Sequence, residues 1–194
     1  MKPIASPLDS TTTAPAAKQS LVSGWRGATL MTAVTCICAQ LSFHIPTTPI
    51  PVTMQVFAVL LSGLFLGSRW GFVAQLQYLL LGACGAPVFA LARGGAPVLF
   101  GVTGGYLLAY PIAALLVGWL MEKISSEANT TQRLNRQLLA CLVGIATIYT
   151  YGCTWFWVIA KTTPLSTIVM GALWFVLFDL VKAGLAIGVT KNRH

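Results

Sequence analysis

Long apolar stretches, separated by short polar or proline- and glycine-rich breaks, dominate this chain. Their lengths fit membrane-crossing helices better than strands. The first stretch runs from about Trp25 to Phe43 and stops at the proline-rich segment Ile45 to Pro51. The second, Val52 to Leu66, is short for a crossing and closes at Gly67-Ser68-Arg69-Trp70-Gly71. The third starts at Phe72 and weakens near Gly82, Gly85 and Pro87, before an irregular stretch around Arg93. The fourth covers roughly Val98 to Met121, and polar residues from Glu122 to Gln137 lead to the fifth, Leu138 to Ala160. Lys161-Thr162-Thr163-Pro164 opens the sixth. Crossing ~30 Å of hydrocarbon takes about 20 helical residues, so the second and third are predicted to tilt little, pair as a hairpin or line a cavity. The expectation is an all-α, polytopic membrane protein with six transmembrane helices in residues 24–190. A disordered tail is predicted at 1–23 and a short basic tail at 191–194.

Composition agrees. The chain is 56% hydrophobic and 8% charged, too little polar surface for a soluble core of 194 residues. The formal net charge of +8 does not point to nucleic acid, because the basic residues are scattered through loops and tails with no aromatic-interleaved stripe. They set orientation instead. With the N-terminus inside, nine basic residues fall on the inner side, and Arg93 and Lys161 are the two on the outer side. Both termini are therefore predicted cytoplasmic, in a multi-pass protein of the plasma membrane surrounded by lipid. The Thr-, Ala-, Ser- and Pro-rich start lacks the prompt apolar run of a secretory signal, and the five cysteines carry no metal or redox motif.

Against this background Asp179 and Lys182 stand out. They are the only charges in an apolar run of 25 residues, Leu165 to Val189, and their i, i+3 spacing puts them on one helix face. A lone charge at bilayer depth costs roughly 2.5–3.5 kcal/mol on insertion scales. Two readings fit the pair: a structural clamp between helices, or the polar floor of a site for a ligand with both donors and acceptors. An ionised Asp only accepts and a Lys only donates, which suits a cyclic urea or amide. Other candidates are the proline-stiffened segment Pro46 to Gln55, a rigid cap or a plain turn, and Thr103-Gly104-Gly105-Tyr106, whose glycines admit a ligand or a packed helix. Tyr149 sits inside the fifth helix, as an aromatic wall or as ordinary interface material. Arg93 is the single arginine on the predicted outer face, able to hold a carboxylate. On the first helix Ala28, Thr32 and Cys36 form a line of small residues, with Thr29 and Ala33 beside it, for internal packing or for docking another membrane protein. No GxxxxGK[ST], HExxH or G-x-S-x-G motif is present. No cofactor is implied, and an enzyme has no evident nucleophile–base pair or metal to use.

The runs PIPVTMQVFAVLLSGLFLG from Pro49, GAPVFA from Gly85, FGVTGGYLLAYPIAALLVG from Phe100 and DLVK from Asp179 together resemble the BioY family. Those proteins are the biotin-specific substrate-binding subunits (S-components) of energy-coupling-factor transporters. The resemblance spans about Leu30 to Ala186. It implies six helices and a biotin pocket beneath the loop between helices one and two, with Asp179, Lys182 and Tyr149 in the site. Gln55, Thr103, Gly104 and Gly105 join them as candidates, and Arg93 is placed by position alone. It also implies docking through Ala28, Thr32 and Cys36 onto a transmembrane coupling protein driven by two ATPase subunits. A self-sufficient, ion-coupled carrier for biotin or a similar small carboxylate is the alternative. The sequence departs from the family pattern at Val102, usually proline, and at Leu177-Phe178, usually Pro-Gly.

Overall fold

Glycine 67 decides the topology of the first half. The computed structural model describes residues 24–43, 46, 48–123 and 129–190; the expected tails at 1–23 and 191–194 lie outside the described residues. Helix α1 (Trp25–Gln40) leads into a two-residue strand β1 (Ser42–Phe43), which pairs antiparallel with β2 (Val52–Thr53). Helix α2 (Gln55–Ala83) then runs 29 residues but is not one rod. Gly67 takes φ 76° and ψ −174°, a left-handed region that glycine enters without steric cost. There the chain folds back, so Gly71 lies against Gly63 and the Gln75 amide donates to Ser62 Oγ at 2.8 Å. The arms 55–66 and 68–83 are the predicted hairpin.

Past the second arm come a 3₁₀ turn at Ala90–Ala92, the short helix α3 (Ala96–Phe100) and helix α4 (Gly104–Glu122). Helix α5 (Thr130–Ala160) starts eight residues earlier than the hydropathy pattern suggests (130 against 138). Its cause is a reciprocal cap: Asn129 Oδ1 accepts from the Gln132 N–H while Gln132 Oε1 accepts from the Asn129 N–H. The chain ends in α6 (Pro164–Ile168), a π-helical turn (Val169–Leu173) and α7 (Trp174–Thr190).

Among the described residues, four helical runs are long and apolar enough to cross a membrane: Gln55–Ala83, Gly104–Glu122, Thr130–Ala160 and Pro164–Thr190. Helix α1, at 16 residues, spans only about 24 Å. The small strand pair qualifies the all-α expectation without changing it. Val52 and Thr53, read as helix, are extended because three nearby prolines remove backbone donors and bias the chain away from helix.

Close packing through small residues holds the helices together, as expected where lipid removes the hydrophobic drive between them. Gly63 sits against Ala114 and Val117 of α4, Gly118 against the Gly67–Ser68 backbone, and Gly144 of α5 against Val117 and Leu60. At the fold-back, Glu122 Oε1 accepts from the Ser68 N–H at 2.7 Å and from its hydroxyl at 2.9 Å. Helix α1 lies along the second arm of α2. Ala28 and Thr32 are buried there, with Thr32 Oγ1 2.8 Å from the Ala74 carbonyl. The expected docking line on α1 is therefore occupied by this chain's own α2, with Cys36 half-buried beside it. Outward-facing positions on α1 are Thr29, Leu30, Ala33 and Ile37.

Candidate ligand-binding site

Residues 48–54, 84–103 and 161–163 gather at the end of the bundle opposite Gly67 and Glu122. Between them opens a cleft lined by residues of α2, α4, α5 and α7 together with the loops above them. Its floor is built by the π-helical turn and α7. Gly171, Phe175, Asp179 and Lys182 follow one another at helical spacing along a single stripe, and all four line the cleft. Asp179 lies 15 residues past Pro164 and 11 before Thr190, in the middle part of that apolar helical run.

The charge pair is formed and buried. Lys182 Nζ donates to Asp179 Oδ1 at 2.6 Å, and the two residues are 6% and 3% exposed. The Tyr149 hydroxyl of α5 donates to the other carboxylate oxygen, Oδ2, at 2.6 Å. Asp179 is thus engaged through both oxygens, while Lys182, with three donors, has directed one to it. A buried pair gains from added hydrogen bonds because the surrounding dielectric is low. The Tyr149 ring meets Tyr106 of α4 edge-on at 6.5 Å between centroids.

Gln55 is in the cleft wall but heavily used by the protein. Its Oε1 accepts from Thr53 Oγ1 at 2.9 Å and its Nε2 donates to the Tyr78 hydroxyl at 2.5 Å. It fixes the wall more than it offers a free group. Thr103 lines the cleft just before α4. Arg93 is exposed at the rim, held there by an unusual turn in which Leu91 and Ala92 both have positive φ, 61° and 53°. Such left-handed non-glycine residues are uncommon and persist where neighbours over-determine them. Gln40 does this here, its Oε1 accepting from the Ala92 N–H at 3.1 Å and its Nε2 donating to the Phe89 carbonyl at 3.2 Å.

Gly104 and Gly105 lie at the start of α4, in close packing with neighbouring elements. Neither lines the cleft. A Cβ on Gly105 would strike Trp155 of α5, and one on Gly104 would strike the Leu99 carbonyl, so both serve close packing. Trp155 itself donates to the Gly101 carbonyl at 2.9 Å. Residues not anticipated include Tyr110, Phe175, Ile148 and Phe89. Tyr110 follows Tyr106 by four positions, a same-face signal that the sequence did offer. Its hydroxyl makes no hydrogen bond among the described residues. Phe89 was hidden in an irregular stretch, and only folding places it edge-on to Tyr78, 5.5 Å between centroids.

The fold and the cleft define a polytopic, multi-pass membrane protein with a cleft that carries a paired charge at its floor. The profile of the BioY family matches residues 15–194. The chain is 38% identical over 163 residues to a probable biotin transporter BioY of Pyrococcus horikoshii, covering 84% of this chain and 91% of the relative. To the biotin transporter BioY of Thermotoga maritima it is 39% identical over 158 residues, covering 80% and 88%. A solved crystal structure, the S-component for biotin from an ECF-type ABC transporter, superposes with a TM-score of 0.77 at 25% identity, covering 85% of this chain and 87% of that one. The chain belongs to the BioY family.

Proposed function

We propose that this protein captures biotin from the outer side of the plasma membrane as the substrate-binding subunit of an energy-coupling-factor transporter. It is a transport protein, not an enzyme. The observation that carries the reading is the buried Asp179–Lys182 pair, joined by the Tyr149 hydroxyl, at the floor of the cleft. Biotin's ureido ring presents a carbonyl acceptor and two N–H donors. Spare donors of Lys182 meet the carbonyl, while the hydroxyl oxygens of Tyr149 and Tyr110 remain able to accept from the ring nitrogens. Phe175, Tyr106 and Ile148 supply the apolar wall for the thiophane ring and chain. Arg93 at the rim meets the carboxylate tail, and Thr103 stands along the way.

Orientation follows from the same geometry. Gly67 and Glu122 share one end, and the nearby Arg69, Lys123, Arg133 and Arg136 make it the cytoplasmic one. The cleft end carries Arg93 and Lys161 and faces outward. The reading is tested by mass spectrometry of small molecules that leave the membrane with the detergent-solubilised protein, followed by calorimetric titration. Biotin should co-purify and bind stoichiometrically; an empty protein that also gives no heat with added biotin would overturn it.

We propose that coupling to a transmembrane partner with two ATPase subunits uses the outward face of α1, at Thr29 and Ala33, because Ala28 and Thr32 are buried. Ala33→Trp is then expected to leave biotin affinity within about twofold, being remote from the cleft. ATP-driven uptake by the assembled transporter should be lost. Unchanged uptake in proteoliposomes would move the interface elsewhere.

A further inference from the structure

Two carbonyls of the π-helical turn in the last membrane run are gripped by side chains from other parts of the chain. The turn spans Val169–Leu173. Thr48 Oγ1, in the proline-rich segment before β2, donates to the Met170 carbonyl at 2.8 Å across 122 residues of sequence. The Tyr106 hydroxyl of α4 donates to the next carbonyl, Gly171, also at 2.8 Å. Thr48 is 4% exposed, and its oxygen also accepts from the Ile50 N–H at 3.2 Å. That second bond orients Ile50 and Pro51, which line the cleft on one side, while Gly171 and Phe175 line it on the other. One hydroxyl therefore joins two walls of the ligand site.

The chemistry explains why the joint is on a π-turn. A wider turn displaces carbonyls from the regular i→i+4 ladder and leaves lone pairs available to outside donors. Tyr106 fixes the turn to α4 as a stationary anchor, and Thr48 attaches the outer segment to it. Pro46, Pro49 and Pro51 stiffen that segment, so its position is set by a few anchoring contacts rather than by a backbone ladder. Freeing it requires breaking the Thr48–Met170 bond.

We propose that Thr48 is a positioning residue for ligand retention: its hydroxyl ties the cleft's outer wall to the π-turn and thereby slows escape of bound ligand. The inference rests on the cleft being the biotin site. A neutral hydrogen bond of this kind corresponds to a change of about three- to tenfold in rate. Thr48→Val, which keeps shape and loses the hydroxyl, is expected to raise the biotin dissociation rate about three- to tenfold with the association rate within about twofold. Thr48→Ser should restore the wild-type rate. A role in stability alone would lower the unfolding temperature without changing that rate.

A dissociation rate within experimental error of wild type for Thr48→Val, or a Thr48→Ser variant as fast as the valine one, would overturn the proposal. Amide hydrogen exchange on ligand-free protein separates this from the biotin reading. Thr48→Val should speed exchange in peptides covering both 48–54 and 166–175, and Thr48→Ser in neither. Acceleration confined to 48–54 would show that the bond to Met170 couples nothing, whatever the ligand proves to be.

Discussion

A protein carrying both Asp179→Leu and Lys182→Leu is expected to fold as well as wild type and to lose biotin binding by at least about a hundredfold. Each of the two charges is buried, and their partners are each other and Tyr149. Replacing a buried ion pair by apolar residues of similar volume is often neutral or stabilising, by about 1–4 kcal/mol. Ligand recognition goes the other way. A hydrogen bond to a charged group contributes about 1.5–3 kcal/mol, and losing two leaves the polar ring of the ligand unpaired at depth. At about 1.4 kcal/mol per tenfold, that is a hundredfold to ten-thousandfold. The single variant Lys182→Ala should behave differently: it strands a buried carboxylate, costing about 3–5 kcal/mol of stability, and loses binding as well. Thermal unfolding in detergent and calorimetry separate the outcomes. If the double variant bound biotin normally, the pair would be a structural clamp and no part of the site.

The pair was legible because its signal is local. Two charges three residues apart in an otherwise uncharged apolar run need no tertiary information. Tyr149 was legible as an aromatic in the fifth helix, but not its partner, since its hydroxyl meets Asp179 across 30 residues. Gly104 and Gly105 illustrate the opposite case. Paired glycines announce a close approach but not by what, and here the visitor is the Trp155 side chain and the Leu99 carbonyl rather than a ligand. The line on α1, open to internal packing or to docking, is ambiguous for the same reason. Small residues at i+4 spacing mark a helix contact, and the α2 arm took it.

For the fold, hydropathy placed the breaks and glycine chemistry placed the hairpin, because Gly67-Ser68-Arg69-Trp70-Gly71 interrupts an apolar run with polar and unbranched residues. Hydropathy missed the first two turns of α5, where Leu134 is the one apolar residue between Thr130 and Gln137. The information was present in another form, the Asn129-x-x-Gln132 cap. The π-turn at Val169–Leu173 left no trace in periodicity, since a one-residue change in helical pitch is invisible in an all-apolar stretch. Thr48 and Tyr106, the groups that occupy its carbonyls, lie 122 and 65 residues away.

Gly118→Val is expected to destabilise the protein by about 3 kcal/mol or more, with little effect on ligand affinity in the molecules that still fold. Gly118 packs directly on the backbone of Gly67 and Ser68, where a Cβ has no room and the obstacle is main chain rather than a movable side chain. Relief requires α4 to withdraw from the fold-back of α2. That withdrawal breaks the bonds from the Ser68 N–H and hydroxyl to Glu122, at 2.7 and 2.9 Å, and opens the contact of Gly63 with Ala114 and Val117. Gly67 cannot yield, because its φ of 76° is already committed to the reversal and a Cβ there would meet Glu122. Gly118→Ala should show a smaller loss. Glu122→Gln, which keeps an acceptor at an exposed position, should cost no more than about 1 kcal/mol. The cleft lies at the other end of the bundle, so biotin affinity per folded molecule should stay within about threefold. The unfolding midpoint in detergent checks the first expectation and titration of the folded fraction the second. A valine variant that unfolds with wild type would mean that α4 and the α2 reversal do not meet as closely as drawn. One that folds but has lost the ligand would mean that the two ends of the bundle are mechanically coupled.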